Sequence, residues 1–275
     1  IHEIYGFGLS EGMVSKITNK ILPTIEEWQN RPLERVYPVV FLDAIHYNVR
    51  ENALIIKKAV YIALGYNKEG FKEILGMWVG ENESSKYWLM VLNQLKERGL
   101  EDILIVSTDN LPGFTQAIEA VYPKAEIQKC IIHQIRSSTR YVSYKDIKEL
   151  MGDLKTVYKA PTEEIALSNL DEFEEKWQKK YPMCVSSWRN NWAELSTYFK
   201  YPQEMRTLIY TTNSMENFNR QLRKVTKSKA IFPNDFSLTK SLYLAMVDAS
   251  QKWTYRIKNW DLIRSQLSIF FEGRI

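Results

Sequence analysis

The chain has 275 residues, 45% of them hydrophobic and 25% charged, with a formal net charge of +4. This is enough apolar material for one large domain or two ordinary ones with a packed core. Only two cysteines are present, which excludes a disulfide-framework fold and favours a reducing, cytoplasmic setting. No apolar run approaches the roughly 18 residues of a membrane helix, so no membrane partner is expected. The start at Ile1, without Met or a cationic signal-peptide region, suggests a fragment of a longer protein.

The first 22 residues predict the end of one helix, a glycine break, and a second helix that begins at Ser10. This is the outline of a helix-turn-helix, and we assign residues 1–30 to the end of an N-terminal helical, DNA-binding region. A helical hairpin that only packs on the domain explains the same pattern.

A mixed sheet flanked by helices is predicted next, which is an α/β fold. Apolar alternation and β-rich composition indicate strands, whereas apolar residues at helical spacing indicate helices. The predicted order is three strands (36–51, 54–66, 71–79), a helix (84–98), a strand (102–106), a helix (112–121) and a strand (125–131).

From about residue 144 to residue 199, apolar residues recur at helical spacing and no strand pattern interrupts them, which predicts an all-helical insertion. A last helix begins near Asn213, and the tail that follows contains Trp253 and Trp260, which we interpret as core residues. No glycine-rich phosphate loop is present, so nucleotide-hydrolysing machinery is not supported.

Three carboxylates lie where predicted elements meet turns: Asp43, Asp109 and Glu216. If they meet in one cleft, they form an oxygen-ligand site for one or two Mg²⁺ ions, with Mn²⁺ as a substitute, of the kind that cuts and joins phosphodiesters. Each also has a simpler interpretation. Asp43 and Asp109 suit turns held by backbone amides, and Glu216 suits a capping box with Asn213.

Four cations follow Glu216 at intervals of four, seven, eight and eleven residues, and therefore share its helical face: Arg220, Arg223, Lys224 and Lys227. Such a stripe could neutralise DNA phosphates next to the carboxylates. The alternative is a solvated basic face with a Glu216–Arg220 ion pair, which would contribute about 0.3–0.5 kcal/mol.

Cys130 and His133 provide two metal-ligand types at close spacing. A structural zinc site needs three or four protein ligands, and no second pair accompanies them. Two interpretations stay open: a buried cysteine beside a histidine that orients a neighbour, or a supporting pair at the active site. We interpret His46 as a structural residue.

Together these residues resemble the bacterial transposases of the Mutator-like, IS256-type group, which use an Asp-Asp-Glu triad. The resemblance covers nearly the whole chain. Two positions depart from the family pattern: Asn110 stands where glycine is usual, and Ser137 where asparagine is common. The segments that carry the resemblance are Leu42-Asp43-Ala44-Ile45-His46-Tyr47, Ser107-Thr108-Asp109 with Gly113-Phe114, Gln128-Lys129-Cys130-x-x-His133-x-x-Arg136, Trp188-Arg189-Asn190-Asn191-Trp192, Thr211-Thr212-Asn213-Ser214-Met215-Glu216 with Arg223-Lys224, and the Trp253 to Trp260 tail.

The resemblance implies a ribonuclease-H-like core made of residues 31–136 and 206–275, with the helical insertion at 137–205 before the third carboxylate. It assigns Asp43, Asp109 and Glu216 as the catalytic metal ligands.

It also implies a Mg²⁺-dependent transposase that cuts transposon ends and joins the 3′-hydroxyl to target DNA, working as a homodimer or larger assembly on double-stranded DNA. The alternatives are a metal-dependent nuclease or resolvase of the same fold, and a non-catalytic DNA-binding protein derived from a transposase.

Overall fold

The structure is a computed structural model that describes residues 20–140, 142–210, 213–227 and 229–275. The helix-turn-helix predicted for the first 22 residues therefore falls almost entirely outside the described residues. Within them, five strands form one sheet in the order β3-β2-β1-β4-β5. The strands are β1 (Val36–Glu51), β2 (Leu54–Tyr66), β3 (Lys72–Gly80), β4 (Asp102–Thr108) and β5 (Glu126–Lys129).

The central strand, β1, is antiparallel to β2 on one side and parallel to β4 on the other. β3 pairs antiparallel with β2, and β5 pairs parallel with β4. The sheet is thus an antiparallel meander extended by two parallel strands, each reached through a helix. This order confirms the predicted mixed sheet and the ribonuclease-H-like fold.

Helices cover both faces of the sheet, because both faces of β1 are apolar. Even-numbered residues such as Val40 and Leu42 join one core cluster, and odd-numbered residues such as Val39 and Phe41 join another. The helices are α1 (Leu22–Asn30), α2 (Ser85–Glu97), α3 (Phe114–Val121), α4 (Ile131–Thr139), α5 (Tyr144–Tyr158), α6 (Glu163–Trp177), α7 (Pro182–Asn190), α8 (Trp192–Leu195), α9 (Gln203–Ile209), α10 (Asn213–Thr226), α11 (Asp235–Ser250) and α12 (Trp260–Phe270), with a 3₁₀ turn at Thr197–Lys200.

The even-numbered cluster lies against α2 and α3, and the odd-numbered cluster lies against the later helices, including α10. The helices between β5 and α10 agree with the predicted all-helical insertion, and Trp260 is buried as predicted. No helix of the described residues is long and apolar enough to cross a membrane.

Three predicted boundaries were wrong by two residues. The strand predicted as 102–106 continues to Thr108. The strand predicted to run to residue 131 ends at Lys129, because Cys130 is the N-cap of α4 and the apolar pair that follows belongs to a helix. The helix predicted from residue 112 begins at Phe114, because Gly113 has a left-handed φ of 78°. A Cβ at Gly113 would lie 2.9 Å from Ser85 Oγ, so the loop after β4 packs closely against the start of α2.

The hairpin that joins β1 and β2 extends beyond the rest of the sheet. β1 pairs with β4 only as far as Leu42↔Thr108, and β2 pairs with β3 only from Ala59↔Gly80. Residues 45–58 therefore form a two-stranded extension, which we call the ribbon. Its turn is made by Asn52 and Ala53, both with positive φ.

Candidate active site

Asp43 and Asp109 lie side by side at one edge of the sheet. Leu42 and Thr108 are the last paired residues of the parallel strands β1 and β4, and each aspartate is the next residue along its strand. This is the edge at which parallel strands collect ligands. The two aspartates line a cleft of about 580 Å³ together with Glu216, the third predicted carboxylate.

Asp43 is buried, with 7% of its surface exposed. Its Oδ2 accepts a hydrogen bond of 2.5 Å from Asn219 Nδ2, which α10 directs into the cleft. Burial and then the negative charge of Asp109 raise the pKa of Asp43, while His133 and the Asn219 hydrogen bond oppose this rise. Asn219 therefore favours the ionised carboxylate that a metal ion requires.

Asp109 is held by His133 from the first turn of α4. His133 Nδ1 contacts Asp109 Oδ1, and ligand atoms of Asp43, Asp109 and His133 all lie within 4.8 Å of one another. Burial lowers the pKa of His133, but hydrogen bonds with Asp109 and Cys130 outweigh burial and raise it to about 11. The imidazole is thus positively charged at neutral pH and offsets part of the aspartate charge.

Glu216 lies in the first turn of α10 and lines the same cleft, but it is not in the close group of Asp43, Asp109 and His133. Its Oε1 lies 2.6 Å from Arg136 Nη2 on α4. Asn213 is already inside the helix. The structure therefore brings all three predicted carboxylates to one cleft, with Glu216 paired to an arginine rather than to the proposed cap.

A fourth carboxylate, Glu83, lies in the loop before α2 near the aspartates. Burial raises its pKa, a 3.4 Å hydrogen bond from Trp88 Nε1 opposes this, and the negative charge of Asp109 raises it further. Glu83 also raises the pKa of Asp43. Neither Glu83, which lies in a loop, nor Asn219 was among the predicted site residues. A signal existed for Asn219, which is three residues after Glu216 and so shares its helical face.

The four cations predicted to bind DNA are all exposed, three of them on α10 and Lys227 just after its last residue. Arg220 and Arg223 line the cleft, and an adjoining open groove is bordered by the whole set with Thr226. Among the described residues, none of the four forms an ion pair with a carboxylate, and Glu216 pairs with Arg136 rather than Arg220. The stripe thus leads from the carboxylates along the helix.

The donor atoms in the cleft fit a divalent cation. Carboxylate oxygens are the ligands that Mg²⁺ and Mn²⁺ prefer, and the charged His133 contacts Asp109 rather than serving as a metal ligand itself. Asn219 Oδ1 is buried and has no hydrogen-bond partner among the described residues, so it is a further oxygen donor in the same place. Cys130 is buried, and its hydrogen bond with His133 helps to raise the pKa of that histidine.

Comparison with known proteins identifies the family of the chain. The chain is 42% identical over 275 residues to the transposase for insertion sequence element ISRM3 of Rhizobium meliloti, covering 100% of the chain and 69% of that protein. It is 27% identical over 263 residues to the transposase for IS256 in transposon Tn4001 of Staphylococcus aureus, covering 94% of the chain and 67% of that protein.

Among solved structures, the Drosophila P element transposase strand transfer complex is similar with a TM-score of 0.47 and 10% identity, over 90% of this chain and 86% of that one. The strand order, rather than this likeness, establishes the fold. Residues 1–256 match the family described as "Transposase, Mutator family". The chain belongs to the Mutator family of transposases.

Proposed function

We propose that the chain cuts DNA at transposon ends and joins the freed 3′-hydroxyl to target DNA, as a metal-dependent polynucleotidyl transferase that acts inside the cell. Asp43, Asp109 and Glu216 are the proposed metal ligands, with Mg²⁺ as the ion and Mn²⁺ as a substitute. The observation that carries the proposal is the approach of Asp43 and Asp109 within 4.8 Å, in a cleft that Glu216 also lines.

A bound divalent ion would activate the attacking oxygen and stabilise the charge that develops on the leaving oxygen. The protein's own residues prepare the site for that chemistry. Asn219 holds the Asp43 carboxylate through a charge-assisted hydrogen bond, and His133 orients Asp109. Cys130, beside His133, is a supporting residue in this proposal.

Arg220 and Arg223 lie at the cleft, where they can bind phosphates next to the reacting bond, and Lys224 and Lys227 continue the contact along the adjoining groove at the end of α10. Phosphate contacts of this kind position DNA without selecting its sequence. The proposed partners are double-stranded transposon ends and target DNA, bound by a homodimer or larger assembly.

We also propose the domain division predicted from the resemblance. The catalytic core is formed by residues 31–136 and 206–275, and residues 137–205 are the insertion.

The test is metal-dependent joining of a pre-cut, 3′-hydroxyl-ended transposon end to a plasmid. The unmodified chain should join DNA in Mg²⁺ or Mn²⁺, and Asp109→Asn should abolish joining while leaving DNA binding intact. Asp248→Asn is the matched control, because Asp248 on α11 is 67% exposed and its one ion pair among the described residues is with exposed Lys252.

Other outcomes would select another function. Cleavage without joining would identify a nuclease or resolvase of the same fold. DNA binding with neither cleavage nor metal binding, in a protein that includes the preceding region of its relatives, would identify a non-catalytic DNA-binding protein. Joining by Asp109→Asn at the normal rate would refute the assignment of the metal site.

A further inference from the structure

The ribbon has one covered face and one open face. Side chains alternate along a strand, so odd-numbered residues of β1 face one side and even-numbered residues face the other. Phe232 forms a backbone bridge with Val49 at the outer edge of β1, and its ring lies 5.8 Å from the Tyr47 ring on the odd side. The segment before α11 therefore borders the ribbon along one edge and covers its odd side, where Val49 and Phe232 are buried.

The even side is exposed and carries His46, Asn48 and Arg50. In the hairpin register, Lys57 lies opposite Asn48 and Ile55 lies opposite Arg50, so both share this open face. His46, which we interpreted as structural, is exposed here. Its pKa is lowered by burial and then by the positive charge of Lys57, which shows that the two side chains are near each other.

The open face carries two cations and no carboxylate. The one acidic residue of the ribbon, Glu51, is on the covered face, where it forms a 2.7 Å ion pair with buried Lys58. Among the described residues, neither Arg50 nor Lys57 forms an ion pair. The charges of Arg50 and Lys57 are thus directed to solvent, whereas the charge of Lys58 is neutralised by Glu51.

The ribbon begins beside the catalytic edge of the sheet. His46 is three residues after Asp43. From the covered side, α10 approaches the base of the ribbon: burial raises the pKa of Tyr47, and the nearby Thr226 hydroxyl and Arg223 charge oppose that rise. The ribbon, the cleft and the basic face of α10 are therefore neighbours.

We propose that the ribbon docks in the major groove of duplex DNA that flanks the reacting bond, an inference that rests on the proposed function. Two strands lie about 4.8 Å apart, and a two-stranded ribbon fits a major groove about 12 Å wide. Arg50 and Lys57 contact phosphates on the groove walls. Ile55, on the open face near the tip, is 57% exposed and lies against apolar groups of the base edges, such as thymine methyls.

The test measures binding of the full chain to a duplex oligonucleotide, without divalent metal, across a series of salt concentrations. Arg50→Ala/Lys57→Ala should lower affinity about tenfold or more at 0.1 M salt and reduce the salt slope by about 2, because each of the two cations neutralises one phosphate. Ile55→Ala should lower affinity without changing the slope. Lys124→Ala is the matched control, because Lys124 is exposed just before β5, at the opposite end of the sheet.

Equal affinity and slope for the double variant and the unmodified chain would overturn the inference, as would an effect on single-stranded DNA alone. Thermal unfolding of the variants checks that exposed-residue changes leave the fold intact. Joining activity separates the two proposals. If DNA binding depends on the ribbon but Asp109→Asn still joins DNA, only the metal site is refuted. If metal-dependent joining is unchanged in the ribbon variants, only the docking is refuted.

Discussion

Replacing Asp43 with asparagine should stabilise the metal-free protein at neutral and alkaline pH. Asp43 is buried beside Asp109, and both burial and this neighbour raise its pKa. Ionised Asp43 therefore lowers the free energy of unfolding of the metal-free protein, although metal binding requires it. The asparagine would retain a carbonyl oxygen able to accept the hydrogen bond from Asn219, so the substitution removes the charge and keeps the packing.

The size of the stability gain follows from the distance between the Asp43 and Asp109 carboxylates. Ligand atoms of Asp43 and Asp109 lie within 4.8 Å, where two like charges repel by about 3 kcal/mol at an effective dielectric constant of about 20. The nearby His133 cation offsets part of this repulsion, which leaves an expected gain of about 1–3 kcal/mol. For a chain of this size, each 1 kcal/mol corresponds to a rise in Tm of about 2–4 °C.

The stability gained by Asp43→Asn should increase as the pH rises. An aspartate with a raised folded-state pKa binds its proton more tightly in the folded than in the unfolded state. It therefore costs stability as pH rises from its unfolded pKa, about 3.9, through its raised folded pKa. Asp43→Asn removes that cost, so its advantage should be about a third developed at pH 5 and fully developed at pH 8, above the folded pKa of about 7.

Calorimetric unfolding in a chelator at pH 5 and pH 8 tests this prediction, with Asp248→Asn as a surface control. Adding Mn²⁺ should stabilise the unmodified chain more than Asp43→Asn, because only the former retains the full ligand set. A lower Tm for the variant at pH 8 without metal, or an equal gain at both pH values, would refute the electrostatic reasoning.

Three further predictions concern the partners of the carboxylates. Asn219→Leu should weaken Mn²⁺ binding about tenfold to a hundredfold, because a hydrogen bond to a charged group contributes about 1.5–3 kcal/mol; unchanged affinity by calorimetric titration would contradict a positioning role. Arg136→Gln should strengthen Mn²⁺ binding by releasing Glu216, and weaker binding would contradict that competition. His133→Asn removes a cation that lowers the pKa of Asp43, so the pH midpoint of Mn²⁺ binding should move upward; a downward shift would show that His133 does not act through its charge.

The position of each aspartate at the end of a strand could be predicted because it depends on local patterns: each follows an apolar run, and ligands collect at the carboxyl ends of parallel strands. The pairing of β1 with β4 does not follow from those patterns, because β2, β3 and α2 lie between the two strands in the chain. The same patterns predicted the order of strands and helices. They predicted the wrong end for β5, because the two isoleucines after Cys130 suit either a strand or the buried face of α4.

The contacts that tune the site could not be predicted in this way. Asn219 and Asp43 are 176 residues apart, and nothing in either local sequence specifies their meeting. The ribbon is a second case. Its strands were predicted, but its projection depends on where β3 and β4 stop pairing, which is decided by the lengths of those other strands.

The partners of the three carboxylates indicate which of them can move. Asp43 is bound by a buried neutral amide, and Asp109 by a histidine with 21% of its side chain exposed. Glu216 is instead bound by Arg136, whose side chain is 60% exposed, and exposed ion pairs of this kind contribute about 0–1 kcal/mol. Two aspartates are therefore fixed by the sheet and its buried contacts, while the glutamate, on a helix that follows the insertion, is held by a contact that is easily broken. Glu216 is thus the carboxylate able to exchange its arginine for another cation without disturbing the core.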